Sequence, residues 1–82
     1  MNKVKILLFA TLRDYVGGKT IELDVPSGMT VGELIDLLVV SYPRLGNVKE
    51  SMMAAINREY AANEQIIPEH AEVAFFPPVS GG

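Results

Sequence analysis

Thr30-Val31-Gly32-Glu33-Leu34-Ile35-Asp36-Leu37-Leu38-Val39-Val40-Ser41-Tyr42-Pro43 decides the fold, because it carries complete helix punctuation inside an otherwise strand-like chain. Thr30 and Glu33 stand at capping-box spacing, where a hydroxyl and a carboxylate each satisfy an orphan backbone N–H at a helix start. Val31, Leu34, Ile35, Leu38 and Tyr42 recur at the 3.6-residue spacing as one apolar stripe. Pro43 stops the run. Gly32, Val39 and Val40 are poor helix formers, so packing against a sheet, more than propensity, is expected to hold this helix.

Working outward, the N-terminal side reads as two strands. Val4 to Ala10 is an apolar run of strand length. Alternation places Val4, Ile6, Leu8 and Ala10 on one face and Lys3, Lys5, Leu7 and Phe9 on the other. The lysines mark the outer face, which leaves Leu7 and Phe9 in need of a partner or a cover. Thr20 to Val25 has a clean period of two, with Ile21, Leu23 and Val25 opposite Thr20, Glu22 and Asp24. Arg13 to Gly18 reads as the connection of an antiparallel hairpin, with Gly17 and Gly18 supplying the turn angles.

On the C-terminal side, Arg44 to Ser51 reads as a loop with a short helical turn around Val48, followed by a strand from Met52 to Ile56. Asn57-Arg58-Glu59 turns into a brief strand at Tyr60-Ala61, and Pro68 to Ala71 turns into a last strand, Glu72 to Phe76. A helix crossover puts that last strand parallel to the first and beside it. If Val73 and Phe75 face the core, Ala74 and Phe76 face outward beside Leu7 and Phe9, and with Tyr60 they form an exposed apolar patch of the kind that marks a partner surface.

The chain then ends in Pro77-Pro78-Val79-Ser80-Gly81-Gly82. Neither proline donates to a β-ladder and each fixes φ, so the chain must leave the body extended. Six residues reach roughly 20 Å at about 3.3–3.6 Å each. Gly81 and Gly82 lack Cβ atoms and suit a channel too narrow for side chains.

Composition excludes several alternatives. There is no cysteine, hence no disulfide framework, thiolate nucleophile or thiolate metal site. His70 is the single histidine and reads as a solvated turn residue; no metal site and no bound cofactor are expected. Seven basic against ten acidic residues, with no Lys/Arg cluster, argue against nucleic acid. No apolar run approaches 18 residues and no signal peptide is apparent, so a cytoplasmic protein without membrane association is expected. The Gly-rich spacings match no nucleotide-binding loop. A self-sufficient enzyme is not expected.

The run Glu72 to Gly82 closely resembles the end of the small subunits of molybdopterin synthase, which are ubiquitin-like sulfur carriers. Phe9-Ala10-Thr11-Leu12-Arg13-Asp14 followed by Gly17 is similar to that family's first strand and the turn after it. Where the family commonly carries Asp-Gly before its last strand, this chain has Glu69-His70-Ala71. The resemblance implies an α+β, β-grasp fold: a mixed sheet of four to five strands with one main helix, a single domain over 1–82, and 77–82 as an extended flexible tail. It also implies a chemistry, in which an adenylating enzyme uses ATP to activate the Gly82 carboxylate and a persulfide donor or sulfurtransferase converts it to a thiocarboxylate. The tail then enters the large synthase subunit, in a heterotetramer of two small and two large subunits, and gives sulfur to cyclic pyranopterin monophosphate. Phe9, Tyr60 and Phe76 match positions that pack on partner enzymes in that family. The same terminal chemistry suits a carrier for thiazole or tRNA thiolation, and a protein modifier conjugated through Gly82 is a further reading.

Overall fold

A computed structural model describes residues 1–77. The expectations placed on Pro78, Val79, Ser80, Gly81 and Gly82 lie outside the described residues. Five strands, β1 (Asn2–Leu8), β2 (Thr20–Val25), β3 (Met53–Ile56), β4 (Glu59–Ala61) and β5 (Glu72–Phe76), form one sheet in the order β2-β1-β5-β3-β4. β1 is antiparallel to β2 and parallel to β5, while β3 is antiparallel to both β5 and β4. Helix α2 (Val31–Ser41) supplies Val31, Leu34, Ile35 and Leu38 to the core. They cluster with Val4, Ile6 and Leu8 of β1, Val25 of β2, and Val73 and Phe75 of β5, all 2% exposed or less.

The α2 capping box forms as its sequence predicts. Glu33 N donates to Thr30 Oγ1 at 3.2 Å, and Thr30 N donates to Glu33 Oε1 at 2.9 Å. The next two helical N–H groups bond to the 63–65 loop, Val31 N to Gln65 O and Gly32 N to Asn63 O, which leaves the helix start without orphan donors there. A Cβ on Gly32 would sit 3.3 Å from that of Asn63, so the glycine permits this close approach.

Three expectations are corrected. First, the Arg13–Gly18 connection contains a helix, α1 (Thr11–Val16), which buries Leu12 completely under the end of the core. Gly17 ends it in the left-handed conformation at φ 78°, as a C-cap glycine does; Gly18 adopts no such angle. Second, β1 stops at Leu8, and Ala10 is not an inward strand residue but the exposed cap before α1, at φ 53° and ψ −131°. The chain must turn sharply here to start α1. Third, the helical turn expected around Val48 begins earlier, as a 3₁₀ turn over Pro43–Asn47. Proline is tolerated there because a first-turn N–H has no helical partner to lose. Leu45 from this turn is fully buried.

Asn2 is the buried polar side chain among the described residues, at 1% exposure. Its Nδ2 donates to Pro68 O at 2.9 Å and its Oδ1 accepts from His70 N at 2.8 Å. One side chain at the start of β1 thereby pins the turn that feeds β5. His70 itself is exposed with φ 57°, in a position that Gly or Asn usually takes. Among the described residues no helix is long and apolar enough to cross a membrane.

Candidate functional site

The outer face of the sheet is built by strand parity. Leu7 pairs with Ala74 across the parallel β1–β5 ladder, and Ala74 pairs with Ala55 and Ala55 with Tyr60 on the other side. Side chains at paired positions share a face, so a continuous apolar row crosses four strands. Phe9 extends β1 past its last ladder residue, its N–H donating to Phe75 O at 3.2 Å. This carries the Phe9 ring alongside Phe76, with ring centroids 4.9 Å apart and planes 11° from parallel. Tyr60 meets the other side of Phe76 at 6.4 Å and 57°.

The five residues singled out from the sequence, Leu7, Phe9, Tyr60, Ala74 and Phe76, all line one shallow concavity of about 530 Å³. Ala55, Arg58 and Glu72 complete it. These three were missed by sequence reasoning, although alternation within β5 puts Glu72 on the face of Ala74 and Phe76. Tyr60 is 75% exposed, while Leu7, Phe9, Ala74 and Phe76 are half-buried. Aromatic rings that stack on each other while one side stays open to water suit docking to another protein, since burial of the open side is still to be gained.

Charged groups ring this apolar floor. Arg13 sits with its Cζ 5.8 Å from the Phe9 ring centroid, held by its Nε donating to Leu8 O at 3.0 Å. Lys5 lies in register between Glu22 of β2 and Glu72 of β5. Asn57 fastens the β3–β4 turn to β5: its N–H donates to Glu72 O at 2.8 Å and its Oδ1 accepts from Glu72 N at 2.9 Å. The pair Lys49 and Asp36, which holds the Lys49 ammonium above its usual pKa first by a hydrogen bond and then by charge, lies outside this concavity. Among the described residues no group of three His, Asp or Glu side chains could hold a metal.

The face ends where β5 gives way to Pro77. A mixed five-stranded sheet curled over one main helix, with the C-terminal strand at its centre, defines the ubiquitin-like β-grasp class. The model of the ThiS family matches residues 6–82, and the chain belongs to that family. It is 38% identical over 80 residues to the molybdopterin synthase sulfur carrier subunit of Arabidopsis thaliana, covering 98% of this chain and 83% of that one. It is 36% identical over 83 residues to small archaeal modifier protein 1 of Haloferax volcanii, covering 92% and 95%. A crystal structure of the latter protein superposes with a TM-score of 0.84 at 34% identity, covering 99% of this chain and 100% of that one.

Proposed function

We propose that the chain is a sulfur carrier for molybdopterin synthesis, working through its Gly82 carboxyl and docking on its partners by the Phe9–Phe76–Tyr60 face. The observation that carries this reading is the placement of an open aromatic ladder at the root of a Pro-Pro-Val-Ser-Gly-Gly ending. The docked body fixes the tail's starting point, and the tail's reach does the rest. Likeness to a molybdopterin synthase sulfur carrier subunit supports it.

An α-carboxylate, with a pKa of about 3.3–3.7, is ionised at neutral pH and a poor acyl donor. It attacks the α-phosphorus of ATP on an adenylating enzyme of the ubiquitin-activating type, releasing pyrophosphate and leaving an acyl-adenylate. The terminal sulfur of a persulfide donor attacks the acyl carbon and expels AMP. A thiol then cleaves the resulting acyl disulfide, acting as two-electron reductant, and leaves the thiocarboxylate. In the large synthase subunit, within a two-plus-two heterotetramer, that sulfur attacks a phosphate-bearing carbon of cyclic pyranopterin monophosphate, the C–S bond forming as the C–O bond to phosphate breaks and the cyclic phosphate opens; water at the acyl carbon of the resulting thioester returns Gly82 as carboxylate and leaves the sulfur on the pterin precursor. The carrier binds no cofactor of its own, is not catalytic alone, and works in the cytoplasm, where its partner draws on ATP.

The test is mass spectrometry after incubation with ATP, a persulfide donor and the adenylating enzyme. Exchange of one oxygen for sulfur is close in mass to methionine oxidation, and the chain has four methionines. Trypsin cuts after Arg58, and the fragment from Glu59 to Gly82 holds no methionine. An oxygen-for-sulfur gain on that fragment is the expected result. No gain with the adenylating enzyme active overturns the reading.

Likeness to small archaeal modifier protein 1 favours a second reading, in which a lysine amine instead of a sulfur displaces AMP. Reductant-resistant conjugates ending in an isopeptide to Gly82 would identify it.

A further inference from the structure

β3 and β4 are joined by two residues only, Asn57 and Arg58, with Ile56 paired to Glu59. Both residues have positive φ, 49° and 74°. This is the geometry of a type I′ hairpin turn, whose second position strongly favours glycine. Asn57 suits its place and is anchored to β5 by its two bonds to Glu72. Arg58 does not suit its place, since a long side chain with a Cβ is strained in the left-handed region. A residue that breaks a local rule in an otherwise consistent hairpin points to a use for its side chain.

The Arg58 side chain lines the apolar concavity. Among the described residues it forms no salt bridge, whereas Glu72, beside it, has Lys5 in register on its other side. The face therefore carries a cation at the edge of its floor, in a chain whose net charge is −3. Arg58 also lies at the far end of the face from the tail. The turn sits beside Glu72, and four residues of strand at about 3.3 Å each put Phe76 some ~13 Å away.

We propose that Arg58 is a docking determinant for the adenylating enzyme, pairing with a carboxylate that edges the enzyme's apolar recess, and that the strain at this turn is kept for that contact. The proposal rests on the sulfur-carrier reading and adds the chemistry of the partner surface: an apolar recess for Phe9, Phe76 and Tyr60, with an acidic residue where the β3–β4 turn lands. An arginine suits this role because its guanidinium is weakly hydrated and meets a carboxylate with two parallel donors. Because Arg58 lies at the opposite end of β5 from Pro77, the contact governs association and not the reaction at the acyl carbon.

The test compares the full chain with Arg58→Gly and Arg58→Glu. Two quantities are read: the melting temperature, and ATP-dependent pyrophosphate release by the source organism's ubiquitin-activating-type adenylyltransferase over a range of carrier concentration and NaCl. Arg58→Gly is expected to raise the melting temperature by about 2–6 °C, since glycine takes this φ without strain. The same variant is expected to raise KM for the carrier roughly tenfold at low salt with kcat unchanged. For Arg58→Glu the expected KM is higher still and falls with added NaCl, the reverse of the parent's salt response. A KM for Arg58→Gly within about twofold of the parent, less than the usual effect of losing a charged docking contact, overturns the proposal. A lowered melting temperature or a lowered kcat also overturns it, by assigning Arg58 to the fold or to the chemistry. Absence of pyrophosphate release with the parent chain overturns the sulfur-carrier reading itself, an outcome distinct from release with unaltered KM.

Discussion

Phe75 and Phe76 are neighbours in sequence that point to opposite faces of β5, and their alanine variants should separate stability from docking. Phe75 is fully buried and belongs to the core cluster. Its truncation leaves a cavity costing about 3–5 kcal/mol. A chain of 82 residues has a total stability of about 4–12 kcal/mol, at roughly 0.05–0.15 kcal/mol per residue, so Phe75→Ala approaches global unfolding. Phe76 is half-buried, and its loss removes one ring stack worth about 0.5–1.5 kcal/mol and a part of its apolar burial, together about 1–2 kcal/mol. For docking on the proposed adenylating enzyme the ranking should invert. On that reading Phe76→Ala removes the ring at the centre of the aromatic face, with an expected loss of about 2 kcal/mol or more, roughly thirtyfold in affinity.

Urea denaturation followed by far-UV circular dichroism reads the first quantity, and carrier concentration dependence of pyrophosphate release reads the second. A cycle with Phe9→Ala adds an internal check: the free protein should show a Phe9–Phe76 coupling of about 0.5–1.5 kcal/mol. Equal destabilisation by Phe76→Ala and Phe75→Ala would contradict the assignment of the two rings to opposite faces. Adenylation of a folded Phe76→Ala at the parent's carrier dependence would contradict a docking role for the ring.

Other substitutions probe separate parts of the argument. Asn2→Ala removes two hydrogen bonds that pin the 68–70 turn, and should cost about 2 kcal/mol and lower the melting temperature by roughly 8–16 °C. Ala10→Gly should raise the urea midpoint, because φ 53° with ψ −131° strains a residue bearing a Cβ; the expected gain is about 1 kcal/mol. Gly81→Ala, or one residue added after Gly82, should abolish thiocarboxylate formation on the Glu59–Gly82 fragment while leaving the melting temperature within error of the parent.

The parts of this fold that were legible in the sequence are those carried by periodicity. Alternation in Val4–Leu8 and Thr20–Val25, and the 3.6-residue stripe behind Thr30, give the main elements and their buried faces directly. The outer-face patch was legible for the same reason, since parity alone puts Leu7, Ala74 and Phe76 on one face. Helix α1 was not, because six residues burying one leucine leave no repeat to detect; the signal present was Gly17 as a C-cap. The role of Asn2 was hidden because its partners are backbone groups 66 and 68 positions away. Arg58 was hidden because a turn was expected at Asn57–Glu59 without its backbone angles, and only those angles show that arginine stands where glycine is favoured.

The central position of β5 also has a mechanical consequence. Because β5 is hydrogen-bonded to β1 on one side and to β3 on the other, a pull at Pro77 directed along the strand axis loads two ladders at once. Bonds loaded in shear share the force, and an edge strand pulled the same way would share it over one ladder instead of two. A load passed on at Pro77 therefore reaches a strand bonded on both sides and not one of the sheet's two edge strands. Releasing that load afterwards requires no repair of the body.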